Sequence, residues 1–147
     1  MSLYVYKNLS SSIFSVNGRN ENALTSALSV CLTKSKDFLR AVLKLLNIKN
    51  IREQDFEFID LYYQKYGFNS EEGITDIELF MKDKFHVIIE AKVGASFPAL
   101  EQCMKYIPRF NLEIPEKSRV LAILIDKADT GIIDSYIKEQ PFLERYL

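Results

Sequence analysis

The chain is poor in the residues that usually advertise chemistry. It has one histidine and two cysteines in 147 residues. A single His86 leaves little material for a histidine-dependent triad or a His-rich zinc site. Cys31 and Cys103 have no metal-ligand spacing and fall in expected helices, so they read as buried free thiols of a reducing compartment. Charge of one sign is also lacking: 19 Lys and Arg stand against 20 Asp and Glu, a formal net charge of -1. That excludes a free-standing nucleic-acid binder relying on overall basicity. Any such contact must come from a local patch, an oligomer or another domain. There is no signal peptide and no apolar run long enough to span a bilayer, so the expectation is a cytoplasmic chain with no membrane partner. Internal repeats and low-complexity linkers are absent too.

What the chain does have is an apolar fraction of 48%, enough for a real core. Its length suits one domain over 1–147, with the core over about residues 20–140 and residues 1–19 as an N-terminal arm. The most informative stretch is Gly73-Ile74-Thr75-Asp76-Ile77-Glu78-Leu79-Phe80, a turn at Lys82-Asp83-Lys84, then Phe85-His86-Val87-Ile88-Ile89-Glu90-Ala91-Lys92-Val93. It reads as two strands and a tight turn. Strand side chains alternate between faces, so Asp76 shares a face with Glu78, and Glu90 with Lys92. If Met81 lies opposite Phe85, then Ile77, Leu79 and Met81 join Val87, Ile89 and Ala91 on one apolar face. The same register sets Asp76 opposite Glu90, with Lys92 close by. Facing carboxylates repel. A divalent cation removes that repulsion, and carboxylate oxygens suit Mg²⁺ or Mn²⁺. Glu78, on the face of Asp76, is a weaker candidate for an extra ligand, and His86 is expected to be structural or exposed.

Around this hairpin the periodicity predicts helices. One begins near Asn20 or Asn22 with the stripe Leu24, Ala27, Leu28, Cys31 and Leu32, and Glu21 suits its first turn as a dipole-favoured acid. A second carries Phe38, Leu39, Val42, Leu45 and Leu46, with Ser35 as its N-cap. A strand is expected over about 55–65 and a turn over 66–70. After a loop at 94–96, Pro98 opens a helix with Leu100, Cys103, Met104 and Ile107 as its buried stripe. Gln102 and Tyr106, four apart, lie on one face that Arg109 continues, and Pro108 ends or kinks the helix. The run 120–125 suits a strand buried on both faces. A last helix is expected over 130–138, closed by Pro141, and 142–147 form an apolar end. The order is an α/β layer architecture with a mixed sheet.

Together these residues resemble the PD-(D/E)XK nuclease superfamily, with its restriction-endonuclease-like core of α-β-β-β-α-β order and a mixed β-sheet flanked by helices. Thr75-Asp76 stands at the family's Pro-Asp, with Thr75 in place of the proline. Glu90-Ala91-Lys92 matches the Glu-X-Lys half, and Glu21 matches the acid of the first helix. Gln102 and Tyr106 match the Gln-x-x-x-Tyr element of the RecB-like branch. The resemblance covers roughly residues 20–126. It implies a nuclease that hydrolyses phosphodiester bonds, in DNA ahead of RNA, for repair, restriction or defence. It implies Mg²⁺ or Mn²⁺ held by Asp76, Glu90, the Ala91 carbonyl and Glu21, directly or through water. Lys92 would serve the attacking water or the transition state, and Gln102 and Tyr106 would position the nucleic-acid backbone or the lysine. A homodimer, or a further C-terminal domain or partner protein, would extend a local basic stripe of Lys92, Lys105 and Arg109. The alternative is a catalytically silent module of the same fold that binds nucleic acid or a protein.

Overall fold

The computed structural model describes residues 2–5, 8–10, 21–67, 73–92, 100–125 and 138. Of the turn expected over 66–70, Tyr66 belongs to a strand and 68–70 lie outside the described residues, as do the loop at 94–96, Pro98, nearly all of the helix over 130–138 and the apolar end at 142–147. Two short strands, β1 (Ser2–Val5) and β2 (Asn8–Ser10), come first. Helices α1 (Glu21–Lys34) and α2 (Lys36–Leu45) follow, then β3 (Asp60–Tyr66), β4 (Ile74–Met81), β5 (Phe85–Lys92), α3 (Leu100–Tyr106) and β6 (Arg119–Ile125). The fold is α/β with a mixed sheet of order β2-β1-β3-β4-β5-β6. β1 runs parallel to β3, and β5 parallel to β6; the pairs β1–β2, β3–β4 and β4–β5 are antiparallel. A parallel pair needs a long crossover. The chain supplies one through α1 and α2 and the other through α3.

Alternation along the strands divides the core in two. Leu61, Tyr63, Ile77, Leu79, Met81, Val87 and Ile89 form one cluster with Leu32 of α1 and Leu39 and Leu43 of α2. Ile88 and Leu121 face the other way and pack with Cys103, Tyr106 and Phe110. The sheet therefore lies between α1 and α2 on one side and α3 on the other. Met81 pairs with Phe85 and Ile77 with Ile89, the register that the apolar pattern requires. The turn closes as expected: Asp83 takes φ 61, and Lys84 N–H donates to the Met81 carbonyl at 3.1 Å. Ser35 caps α2 by accepting from Phe38 N–H at 3.1 Å, a bond worth about 1 kcal/mol.

Several local expectations are corrected. The strand expected over 55–65 begins only at Asp60, and Glu53–Phe58 forms a 3₁₀ turn instead. Asp55 is the cause. Its carboxylate accepts Arg52 N–H at 2.9 Å and Lys84 Nζ at 3.1 Å, which folds the chain back before the strand can start. Asn22 lies within α1 and does not cap it. Its side-chain oxygen accepts from Gln64 Nε2 at 2.8 Å and its carbonyl from the Tyr63 hydroxyl at 3.1 Å, tying α1 to β3. Among the α1 residues whose exposure is described, Thr25, Ser26, Ser29 and Leu32 are buried, while Leu24, Ala27 and Cys31 are exposed. Burial of Ser29 is tolerated because its hydroxyl donates to the Thr25 carbonyl at 2.8 Å, so no polar group is orphaned. Among the α3 residues whose exposure is described, Cys103 and Tyr106 are buried and Met104 is exposed. Along β6 only Leu121 is fully buried among the residues whose exposure is described, because β6 is the last strand of the described sheet.

Candidate metal and catalytic site

The site forms where β4 and β5 part company. Their ladder runs from Met81–Phe85 to Ile77–Ile89. One step further in the same register lie Asp76 and Glu90. Here the Asp76 carboxylate replaces a ladder partner: its Oδ2 accepts the Ala91 N–H at 2.8 Å. On the other side, the β3–β4 ladder skips the Gln64–Asp76 pair, and Gln64 takes φ 48. Asp76 thus sits at an irregularity between two regular pairings, where its side chain can leave the sheet.

Glu90 is only 2% exposed, and burial of a carboxylate is costly unless it is paired and hydrogen-bonded. Three donors meet that demand. Lys92 Nζ lies 2.6 Å from Oε1, and Gln102 Nε2 donates to the same oxygen. The Tyr106 hydroxyl donates to Oε2 at 2.8 Å. The second amide hydrogen of Gln102 goes to the Tyr106 oxygen at 3.0 Å, so the pair acts as one unit. Burial, reinforced by the charge on Glu90, pushes the Tyr106 phenol well above its ordinary range. It therefore stays protonated and can donate. The helical spacing of Gln102 and Tyr106 explains the arrangement: four residues is one turn, so both reach the same strand residue.

The structure accordingly brings together Asp76, Glu90, Ala91, Lys92, Gln102 and Tyr106. Glu21 is the first residue of α1, but its side chain lies outside the described residues. Glu78 does not join them. It is sealed in a second cluster on the α3 side, 1% exposed. Arg109 reaches its Oε1 at 2.6 Å through Nη2 and 3.1 Å through Nε, and Thr75 donates to the same oxygen at 2.9 Å. Lys65 Nζ lies 2.7 Å from Oε2. His86 Nδ1 accepts the Asn111 N–H at 3.2 Å, which assigns the ring proton to Nε2, 3.4 Å from Glu78 Oε2. Burial raises the Glu78 pKa, but His86, Lys65 and Arg109 outweigh it and hold the carboxyl at about 2. With its oxygens engaged by cations, Glu78 is corrected from an extra ligand to an ion-pair partner. Arg109 is 4% exposed at its side chain, so it is also withdrawn from the expected surface stripe. Sequence reasoning placed Arg109 on the face of Gln102 and Tyr106, and that spacing was the one signal of its role.

A metal is testable against this donor set. Two carboxylates and the Ala91 carbonyl offer hard oxygen ligands of the kind Mg²⁺ and Mn²⁺ prefer. Among the described residues no group of three or more His, Cys, Asp or Glu side chains converges. The fit therefore rests on Asp76 and Glu90 with backbone help. No helix among the described residues is long and apolar enough to cross a membrane. No protein-family model, curated protein or solved structure matches the chain.

Proposed function

We propose that this protein is a metal-dependent phosphodiesterase of restriction-endonuclease-like fold that cleaves nucleic acid, DNA ahead of RNA. The observation that carries the reading is the convergence on Glu90 of Lys92, Gln102 and Tyr106, beside Asp76 on the Ala91 amide. Asp76, Glu90 and the Ala91 carbonyl are the groups that would hold Mg²⁺ or Mn²⁺, with Glu21 added by the family resemblance. Such an ion, when bound, supplies an acidified water and neutralises charge on the phosphate. Gln102 and Tyr106 fix the rotamer of Glu90 through both of its oxygens. Lys92, 2.6 Å from Glu90 Oε1, is the amine that would lie beside the scissile phosphate. It would take a proton from the attacking water as the neutral amine, or stabilise the phosphorane-like transition state as the ammonium. The net charge of -1 makes phosphate affinity depend on local cations, on a second copy or on a partner.

A second reading has a specific observation behind it. Three protein donors already satisfy the Glu90 carboxylate, which suits a module that binds nucleic acid or a protein without cutting. One experiment separates the two. Wild type, Asp76→Ala and Lys92→Ala are assayed with Mg²⁺ and Mn²⁺ on single- and double-stranded DNA and on RNA. Cleavage by wild type, lost in both variants, supports the enzyme. An inactive wild type whose melting temperature does not respond to Mn²⁺ refutes the metal site and favours the binding module.

A further inference from the structure

The second charged cluster has a shape that a merely stabilising ion pair does not need. Arg109 lies in the 3₁₀ turn Ile107–Arg109 that directly follows α3. Besides Glu78, its guanidinium grips the backbone on both sides of the β3–β4 connection. Nη1 donates to the Gly73 carbonyl and Nη2 to the Lys65 carbonyl, each at 2.9 Å. Thr75 Oγ1 lies 3.4 Å from Nη2. One side chain thus holds the end of β3, the start of β4 and the middle of β4 to the end of α3. Gly73, Thr75 and Glu78 bracket Asp76 in sequence. On the helix side, Arg109 is three residues beyond Tyr106, whose hydroxyl also lies 3.0 Å from the Ile74 carbonyl.

We infer that Arg109 and Glu78 are positioning residues of the candidate site, a clasp that seats Asp76 on the Ala91 amide and Tyr106 on Glu90. The inference rests on the metal-site reading above for its consequence in function. It does not need that reading for its geometry. Asp76 belongs to a stretch where regular pairing has lapsed, so the ladder alone does not fix it. Tyr106 is the last residue of α3, where the helix gives way to the 3₁₀ turn. The clasp joins these two weakly held pieces, so an error in either would reach Glu90. Lysine cannot replace Arg109, because one ammonium does not span the carboxylate and two carbonyls as a planar guanidinium does.

The test uses the whole chain as Arg109→Lys and Glu78→Gln, with Leu43→Val in the opposite layer as a stability control. Amide hydrogen exchange is measured in EDTA. The expected result is a loss of protection at Ala91 of tenfold or more beyond any loss at Val87 and Ile88 in the same strand. Leu43→Val should lower all three amides by one common factor, the mark of global destabilisation. A common factor in Arg109→Lys and Glu78→Gln as well, or no loss at Ala91, overturns the clasp. A parallel Mn²⁺ titration should show binding weakened about tenfold in Arg109→Lys and unchanged in Leu43→Val. Equal Mn²⁺ affinity in wild type and Arg109→Lys overturns the positioning role. A wild type that does not respond to Mn²⁺ while Ala91 still loses protection refutes the metal reading and leaves the seating of Asp76 intact.

Discussion

Replacing Glu78 by glutamine should produce a stability gap that closes with acid. Glutamine keeps the size and removes the charge. In the folded chain the Glu78 carboxyl is held at about 2, against an ordinary value of 4.5. A group depressed on folding stabilises the native state above its unfolded pKa, and the contribution disappears as pH falls through the folded pKa. At about 1.4 kcal/mol for each unit of pKa, the depression corresponds to about 3 kcal/mol at pH 7. Leaving Arg109 and Lys65 facing a neutral amide makes that a lower bound, because breaking a buried pair costs roughly 3–5 kcal/mol. The assay is urea unfolding of wild type and Glu78→Gln in EDTA from pH 7 to pH 2. The gap should be full above about pH 5, shrink from 4.5 downward and be mostly lost by pH 2, where wild type is half protonated at this position. A gap that stays constant across the range would refute the reasoning. It would mean that Glu78 acts through shape and hydrogen bonds alone.

The remaining predictions are simpler. Tyr106→Phe removes a donor from a buried carboxylate oxygen and should destabilise by about 1.5–3 kcal/mol in denaturant melts, with a further loss of cleavage relative to wild type. Asp76→Ala should abolish the Mn²⁺-induced rise in melting temperature. Lys92→Met should abolish cleavage yet keep or strengthen that rise, because the lysine competes for Glu90 Oε1, 2.6 Å away. Cys31 should react with a soluble disulfide reagent in the native protein, and Cys103 only after unfolding, since one is exposed and the other fully buried.

Much of this architecture was written locally. Period-two alternation forces the apolar faces of β4 and β5 together, and a slip of one residue would bury charge. That one constraint is enough to bring Asp76 beside Glu90 and Ala91, without knowledge of any other element. The turn at Lys82-Asp83-Lys84 and the Ser35 cap are equally short-range. So is the four-residue spacing that lets Gln102 and Tyr106 reach one strand residue. Chemistry at that site remains the proposal stated above; its assembly was legible.

Only the tertiary structure decided which partners each charge takes. Glu78 and Asp76 look alike in the sequence, two positions apart on one strand. The difference between them is made by Arg109, 31 residues away, and by Lys65, which balance the Glu78 charge, and by His86, which hydrogen-bonds to it. The buried face of α1 was hidden for a related reason. Thr25 and Ser29 are polar by composition, but Ser29 satisfies its hydroxyl on the helix's own backbone, so they pack where leucine was expected. Asp55 likewise overrides a run of strand-forming aromatics by drawing in Arg52 and Lys84. In each case hydrophobic periodicity acts between near neighbours and can be read along the chain. The partner of a buried polar group is chosen in space, by whichever side chain the finished fold brings within hydrogen-bonding distance.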